Sequence, residues 1–100
     1  MNMQQMMMQA QKMQRELQKA LKALEEKEFT ISKGGAVTVK MYGSNQIISI
    51  EVDEDAFDKE NKEMVEEMIA MAINEGLDQI AEEKNAINER ITGQKGGFGF

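Results

Sequence analysis

Residues 3–24 read Met3-Gln4-Gln5-Met6-Met7-Met8-Gln9-Ala10-Gln11-Lys12-Met13-Gln14-Arg15-Glu16-Leu17-Gln18-Lys19-Ala20-Leu21-Lys22-Ala23-Leu24. Apolar side chains recur at Met3, Met6, Ala10, Met13, Leu17, Ala20 and Leu24, in alternating steps of three and four. That is a strict heptad seam. Residues 2–27 contain no Gly, no Pro and no β-branched side chain. The Gln, Met, Lys, Glu, Leu and Ala that fill the stretch all favour helix. One amphipathic helix is predicted. Its second feature is a stripe of cations at Lys12, Arg15, Lys19 and Lys22. With Met3 at heptad position a, these four occupy c and f, opposite the seam.

Downstream, the period changes from 3.5 to two. Phe29 and Ile31 alternate with polar residues. Val37, Val39 and Met41 alternate with Thr38, Lys40 and Tyr42, and Ile48, Ile50 and Val52 alternate with Ser49, Glu51 and Asp53. Turns at Lys33-Gly34-Gly35 and Gly43-Ser44-Asn45 separate the three runs. An antiparallel meander with one buried face is expected. Asp53-Glu54-Asp55 closes the sheet. Asp58, Glu60 and Glu63 suit the positive end of a second helix, which runs to about Ile91. Its second half carries another heptad seam, Ala70, Ile73, Leu77, Ile80, Lys84, Ile87 and Ile91. Gly76, inside that helix, costs about 1 kcal/mol relative to Ala, which close approach of another backbone would explain. The fold class is α+β, in the order α-β-β-β-α. The two seams are expected to pack antiparallel as an arm about 30 Å long at ~1.5 Å per residue. Residues 1–92 form one domain, and residues 93–100 read as a flexible Gly-rich tail.

Composition narrows the functions. One hundred residues suit a single domain with a modest core, for which association is a natural aid. There is no Cys and no His. Disulfides, thiol chemistry and the commonest soft metal ligands are therefore absent. No apolar run approaches a membrane span, and the Gln-broken start does not read as a signal peptide. Tuned acid–base partners are not evident, so no enzyme activity and no small-molecule substrate are expected. No cofactor is expected either. Asp53 and Asp55 fit the start of a calcium loop, but Phe57, Asp58 and Met64 fall at its third ligand, Gly and closing Glu positions. Met3, Met6, Met7, Met8 and Met13 could suggest a copper(I) thioether site. Packing on the seam is the simpler use of an adaptable side chain, and no metal is expected.

The net charge of −6 hides an asymmetry. Residues 1–40 hold seven cations against four acids; residues 41–100 hold five against fourteen. A basic helix face on an acidic protein suits a phosphate backbone, which needs no base contacts to attract it. The plainer use of such a stripe is the solvated outer face of a coiled coil.

The ordered set of local strings resembles the YbaB/EbfC family of bacterial nucleoid-associated DNA-binding proteins. It comprises the Met/Gln-rich helix from Met6 to Leu24, Ala36-Val37-Thr38-Val39-Lys40 ahead of Gly43, and Ile48-Ser49-Ile50-Glu51-Val52-Asp53. It continues with Val65-Glu66-Glu67-Met68-Ile69, Ala72-Ile73-Asn74-Glu75-Gly76 and the Gly-rich tail. Tyr42 stands where the family usually has Asn, and Gly76 where it has a small Ala. The resemblance implies a tweezer-like homodimer whose helical arms bind double-stranded DNA with little sequence preference. It also implies residence in the cytoplasm at the nucleoid and a role in nucleoid organisation and gene expression. It carries over no single contact residue. Lys12, Arg15, Lys19 and Lys22 are DNA-binding candidates from the stripe alone, with Lys84, Arg90 and Lys95 behind them. A prefoldin-like coiled-coil chaperone or protein-interaction adaptor, with a sticky Met-rich tip, is the alternative.

Overall fold

A computed structural model describes residues 2–93. Helix α1 spans Met3–Glu26, followed by strands β1 (Glu28–Lys33), β2 (Val37–Tyr42) and β3 (Ile47–Val52). Two short 3-10 turns, Glu54–Ala56 and Lys59–Asn61, lead into helix α2, Lys62–Thr92. The sheet is antiparallel in the order β1-β2-β3. The α-β-β-β-α reading is therefore met. Lys95 and most of the expected Gly-rich tail lie outside the described residues.

Local chemistry explains the element ends. The Asn2 side chain accepts from the Gln5 N–H at 2.8 Å and caps α1. Gly34 and Gly35 both have positive φ, as a type I′ hairpin turn requires. In the second hairpin Asn45 takes the left-handed conformation, and its N–H donates to the Tyr42 carbonyl at 2.9 Å. The acidic segment after β3 differs from expectation. Asp53 and Asp58 accept from the N–H groups of Asp55 and Glu60, both at 3.0 Å, and so cap the two short turns. Only Glu63 remains in the first turn of α2, which starts at Lys62.

The core lies between the sheet and α2. Val37, Val39 and Met41 of the central strand are fully buried, flanked by Phe29 and Ile31 of β1. Ala72, Gly76 and Ile80 of α2 cover them. A Cβ on Gly76 would stand 2.6 Å from the Met41 sulfur and 3.4 Å from Ile31. Gly76 thus admits a side chain, where another backbone was expected. The backbone contact occurs at Gly43 instead. A Cβ there would stand 1.8 Å from the Leu24 carbonyl oxygen, while the Gly43 N–H donates to Lys27 O at 2.8 Å. The last turn of α1 is seated directly on the β2–β3 turn.

Two further expectations are corrected. The strands do not bury one apolar face throughout. β3 is an edge strand, a bulge interrupts its register at Lys40/Met41, and Ile47, Ile48 and Ile50 are each about two-fifths exposed. α2 packs on β1 and β2, so Ile50, paired beside Val39, has little above it. The two heptad seams also do not match along their whole length. The first half of α2 is committed to the sheet. Only its second half meets α1, where Ala20 and Leu24 face Ile87 and Lys27 pairs with Glu83 at 2.6 Å. Ala20 and Lys19 lie level with Arg90 and Ile91 near the end of α2. The shared arm is therefore about half the predicted length, and α1 continues for about 20 Å at ~1.5 Å per residue with no other described residue beside it.

Gly43→Ala is expected to destabilise the fold by about 3 kcal/mol, because two backbones cannot part without unseating α1. Gly76→Ala is expected to change stability by less than about 1 kcal/mol, since the gain in helix propensity offsets displacement of the flexible Met41 terminus. Urea unfolding of the two variants checks the contrast.

Candidate nucleic-acid interface

The four stripe residues fall where the helical spacing puts them. Lys12, Arg15, Lys19 and Lys22 are all exposed along one side of α1. From Lys12 to Lys22 the stripe is about 15 Å long, at ~1.5 Å per residue. At a rise of ~3.4 Å per phosphate along one strand, that length spans about four phosphates.

Their electrostatic setting separates them from several other cations. Lys27 pairs with Glu83, Lys33 with Glu75, and Lys62 with Glu66 at 2.9 Å. Lys27 also stands over the Phe29 ring, 5.1 Å from its centroid. Among the described residues, none of the four stripe cations takes part in an ion pair. Their charge is available to an external anion, while the acids of the sheet end and α2 surround the remainder of the molecule with negative potential.

The two α2 candidates part company. Arg90 borders the same surface groove as Lys19, together with Glu16, Ala20, Ala23 and Ile91. Lys84 is exposed but lies on neither of the grooves that α1 and α2 line with Arg90. The adjacency of Arg90 to Lys19 depends on how far α1 is displaced along α2, which spacing within either helix does not encode. Lys95 is outside the described residues. Among the described residues no group of His, Cys, Asp and Glu is arranged to hold a metal ion. No helix there is long and apolar enough to cross a membrane.

A three-stranded sheet carrying a two-helix arm defines the class: a small α+β protein with one helix face whose cations are exposed and, among the described residues, free of ion pairs. The chain belongs to the YbaB/EbfC DNA-binding family, whose model matches residues 1–95. It is 44% identical over 94 residues to a nucleoid-associated protein of Clostridium novyi (strain NT), covering 93% of this chain and 82% of the relative. It is 38% identical over 89 residues to one of Malacoplasma penetrans (strain HF-2), covering 89% and 95%. The crystal structure of an uncharacterized protein from Helicobacter pylori has the same fold, with a TM-score of 0.73 at 20% identity, covering 92% of this chain and 98% of that one.

Arg90→Ala is expected to weaken duplex binding uniformly across sequences and to make the log–log salt slope shallower by about one for each protomer that engages the duplex, as loss of one phosphate contact does. Lys84→Ala is expected to leave the slope unchanged. Fluorescence anisotropy titrations at several salt concentrations check both.

Proposed function

We propose that this protein is a homodimeric nucleoid-associated protein that binds duplex DNA through phosphates, with little sequence preference. The observation that carries the reading is the unpaired stripe Lys12, Arg15, Lys19 and Lys22 on a projecting helix of an otherwise acidic chain. The stripe holds long flexible cations at a spacing that suits successive phosphates, a positional kind of contact, and the acidic body keeps the duplex on the arm. Family membership and the names of the relatives support a place in the bacterial nucleoid, within the cytoplasm. Effects on nucleoid organisation and gene expression follow from covering and bending such DNA.

The dimer reading rests on β3. Its outer edge has no strand partner, and the half-exposed Ile47, Ile48 and Ile50 lie on it. Apolar edge strands template pairing with another chain. Antiparallel β3–β3 pairing between two copies joins the sheets and covers these isoleucines, leaving two arms pointing outward.

If both protomers engage all four cations, about eight phosphates are neutralised and the salt slope approaches −7, at ~0.9 per contact. Replacing Lys12, Arg15, Lys19 and Lys22 together by Ala preserves helix propensity and is expected to abolish most of the salt-dependent affinity. A quadruple variant that binds as tightly as the parent protein refutes the stripe as the contact surface. Ile50→Asp is expected to give a monomer in sedimentation velocity with unchanged helix content by circular dichroism; an intact dimer places the interface elsewhere.

A further inference from the structure

The half of α1 beyond the end of α2 is helical and, among the described residues, unaccompanied. Met3 is 78% exposed, Met6 57% and Met13 41%, and Ala10 is exposed between them. These four are successive a and d positions of the heptad seam. A DNA reading of the stripe gives them nothing to do, because the stripe occupies the opposite side of the helix.

We propose that this seam is a self-association site: the Met3–Met13 segment of one molecule packs antiparallel on the same segment of a second copy, joining arm tips. The pattern favours a helix as the occupant. The apolar row at a and d is widened on one flank by Met7 at e but is bounded by Gln9 at g and Gln14 at e, so it fits the groove of one facing helix, whereas a helix lying on a bilayer presents a broader apolar face. The flanking e and g positions in this half are Met7, Gln9, Gln14 and Glu16. With one charge among four, two identical helices meet without like-charge rows along the contact. Antiparallel overlap sets Met3 against Met13 of the second copy and Met6 against its Ala10. Glu16 then falls beside the N-terminal end of the facing helix, where the macrodipole is positive. Lys12 and Arg15, at c and f, stay on the outside. Tip pairing therefore leaves the cationic stripe open.

Strength and consequence follow from length and symmetry. About two heptads of mostly Met and Ala make a weak contact, below the three to four heptads of a self-sufficient coiled coil. It becomes populated when a shared template raises the local concentration, as for molecules side by side on one duplex. That step rests on the DNA reading above. Tip pairing is two-fold symmetric, as is β3 pairing. Two different two-fold contacts on one chain link molecules into an open string when their axes do not meet, as for contacts at opposite ends of a projecting arm. The outcome is cooperative coverage of DNA or bridging of separate segments.

Because the chain has no Cys, introduced thiols report cleanly. The full chain carrying both Met3→Cys and Met13→Cys is expected to form intermolecular disulfides without DNA at high protein concentration, and several-fold faster on long duplex. Each single variant is expected to link poorly, since antiparallel pairing keeps like positions apart. Single variants that link as well as the double variant, or a double variant that links no better than either, overturn the antiparallel site. The companion variant replaces Met3, Met6 and Met13 by Gln. It is expected to bind a duplex long enough for one molecule with unchanged affinity, while its Hill coefficient on long duplex falls from above one to one. Cooperativity equal to that of the parent protein overturns the proposal. So does Met-dependent binding of phosphatidylcholine/phosphatidylserine vesicles without cross-linking, which identifies a lipid occupant. Failure of the parent protein to bind DNA at all refutes the nucleic-acid reading and leaves the DNA-free cross-linking result to decide the site by itself.

Discussion

The geometry of the molecule hangs on the contact between Gly43 and the end of α1. The Gly43 N–H donates to Lys27 O at 2.8 Å, and its Cα faces the Leu24 carbonyl with no room for a methyl group. Backbone contact of this kind sets both position and direction, because neither partner can rotate away as a side chain can. Leu24, buried at the same point, adds the apolar half of the attachment. Once the last turn of α1 is fixed on the hairpin, every residue upstream is placed by 1.5 Å steps along a stiff rod. The cationic stripe and the methionine seam owe their positions to a glycine about 20 residues or more away.

α2 is the element that makes the attachment hold. Its first half caps the sheet, where Gly76 lets the Met41 thioether rise between β1 and the helix. Its second half accompanies α1 through Ile87 and the Lys27–Glu83 pair. That pair is largely solvent-exposed on both sides, so its contribution is small and apolar packing supplies most of the cohesion. Dividing one helix between two jobs has a geometric cost. The residues spent on the sheet are unavailable to α1, whose N-terminal half therefore projects beyond every other described residue.

This division explains what could and could not be seen in the amino-acid sequence. The elements were legible because each carries a clean period: 3.5 in residues 3–24, two in the strands, and turn glycines at 34, 35 and 43. The family was legible from the order of strings along the chain. The length of the shared arm was not. Two seams of equal span invite full pairing, and only the seating of α1 on Gly43 and of α2 on Met41 shows that they are staggered. The exposure of β3 was hidden for a similar reason. Ile48, Ile50 and Val52 alternate as any buried strand would, but α2 packs chiefly on the other two strands. The stripe itself was fully legible, because it depends on nothing beyond one helix. The place of Arg90 beside Lys19 was not, because it depends on the stagger.

The stagger also separates the two faces proposed for α1, the cationic stripe and the methionine seam. On a single isolated helix, a basic face and an apolar face compete for the same surface whenever the ligand is large, and a duplex is wider than the helix that binds it. Separation around the axis alone would not suffice if α2 ran the full length of α1, since the apolar face would be filled. Because α2 stops near Lys19, Lys12 and Arg15 share their stretch of rod with an open seam on the far side, whereas Lys19 and Lys22 are backed by α2. The stripe thus continues across the boundary between supported and free helix, and the apolar face does not. A polyanion bound along the whole stripe bears on both regions and stiffens the free one against fraying. Order imposed on one face is then shared by the other, since a helix has only one backbone to order. On the proposed reading, occupancy of the basic face favours presentation of the methionine face through that shared backbone, with no moving part between them.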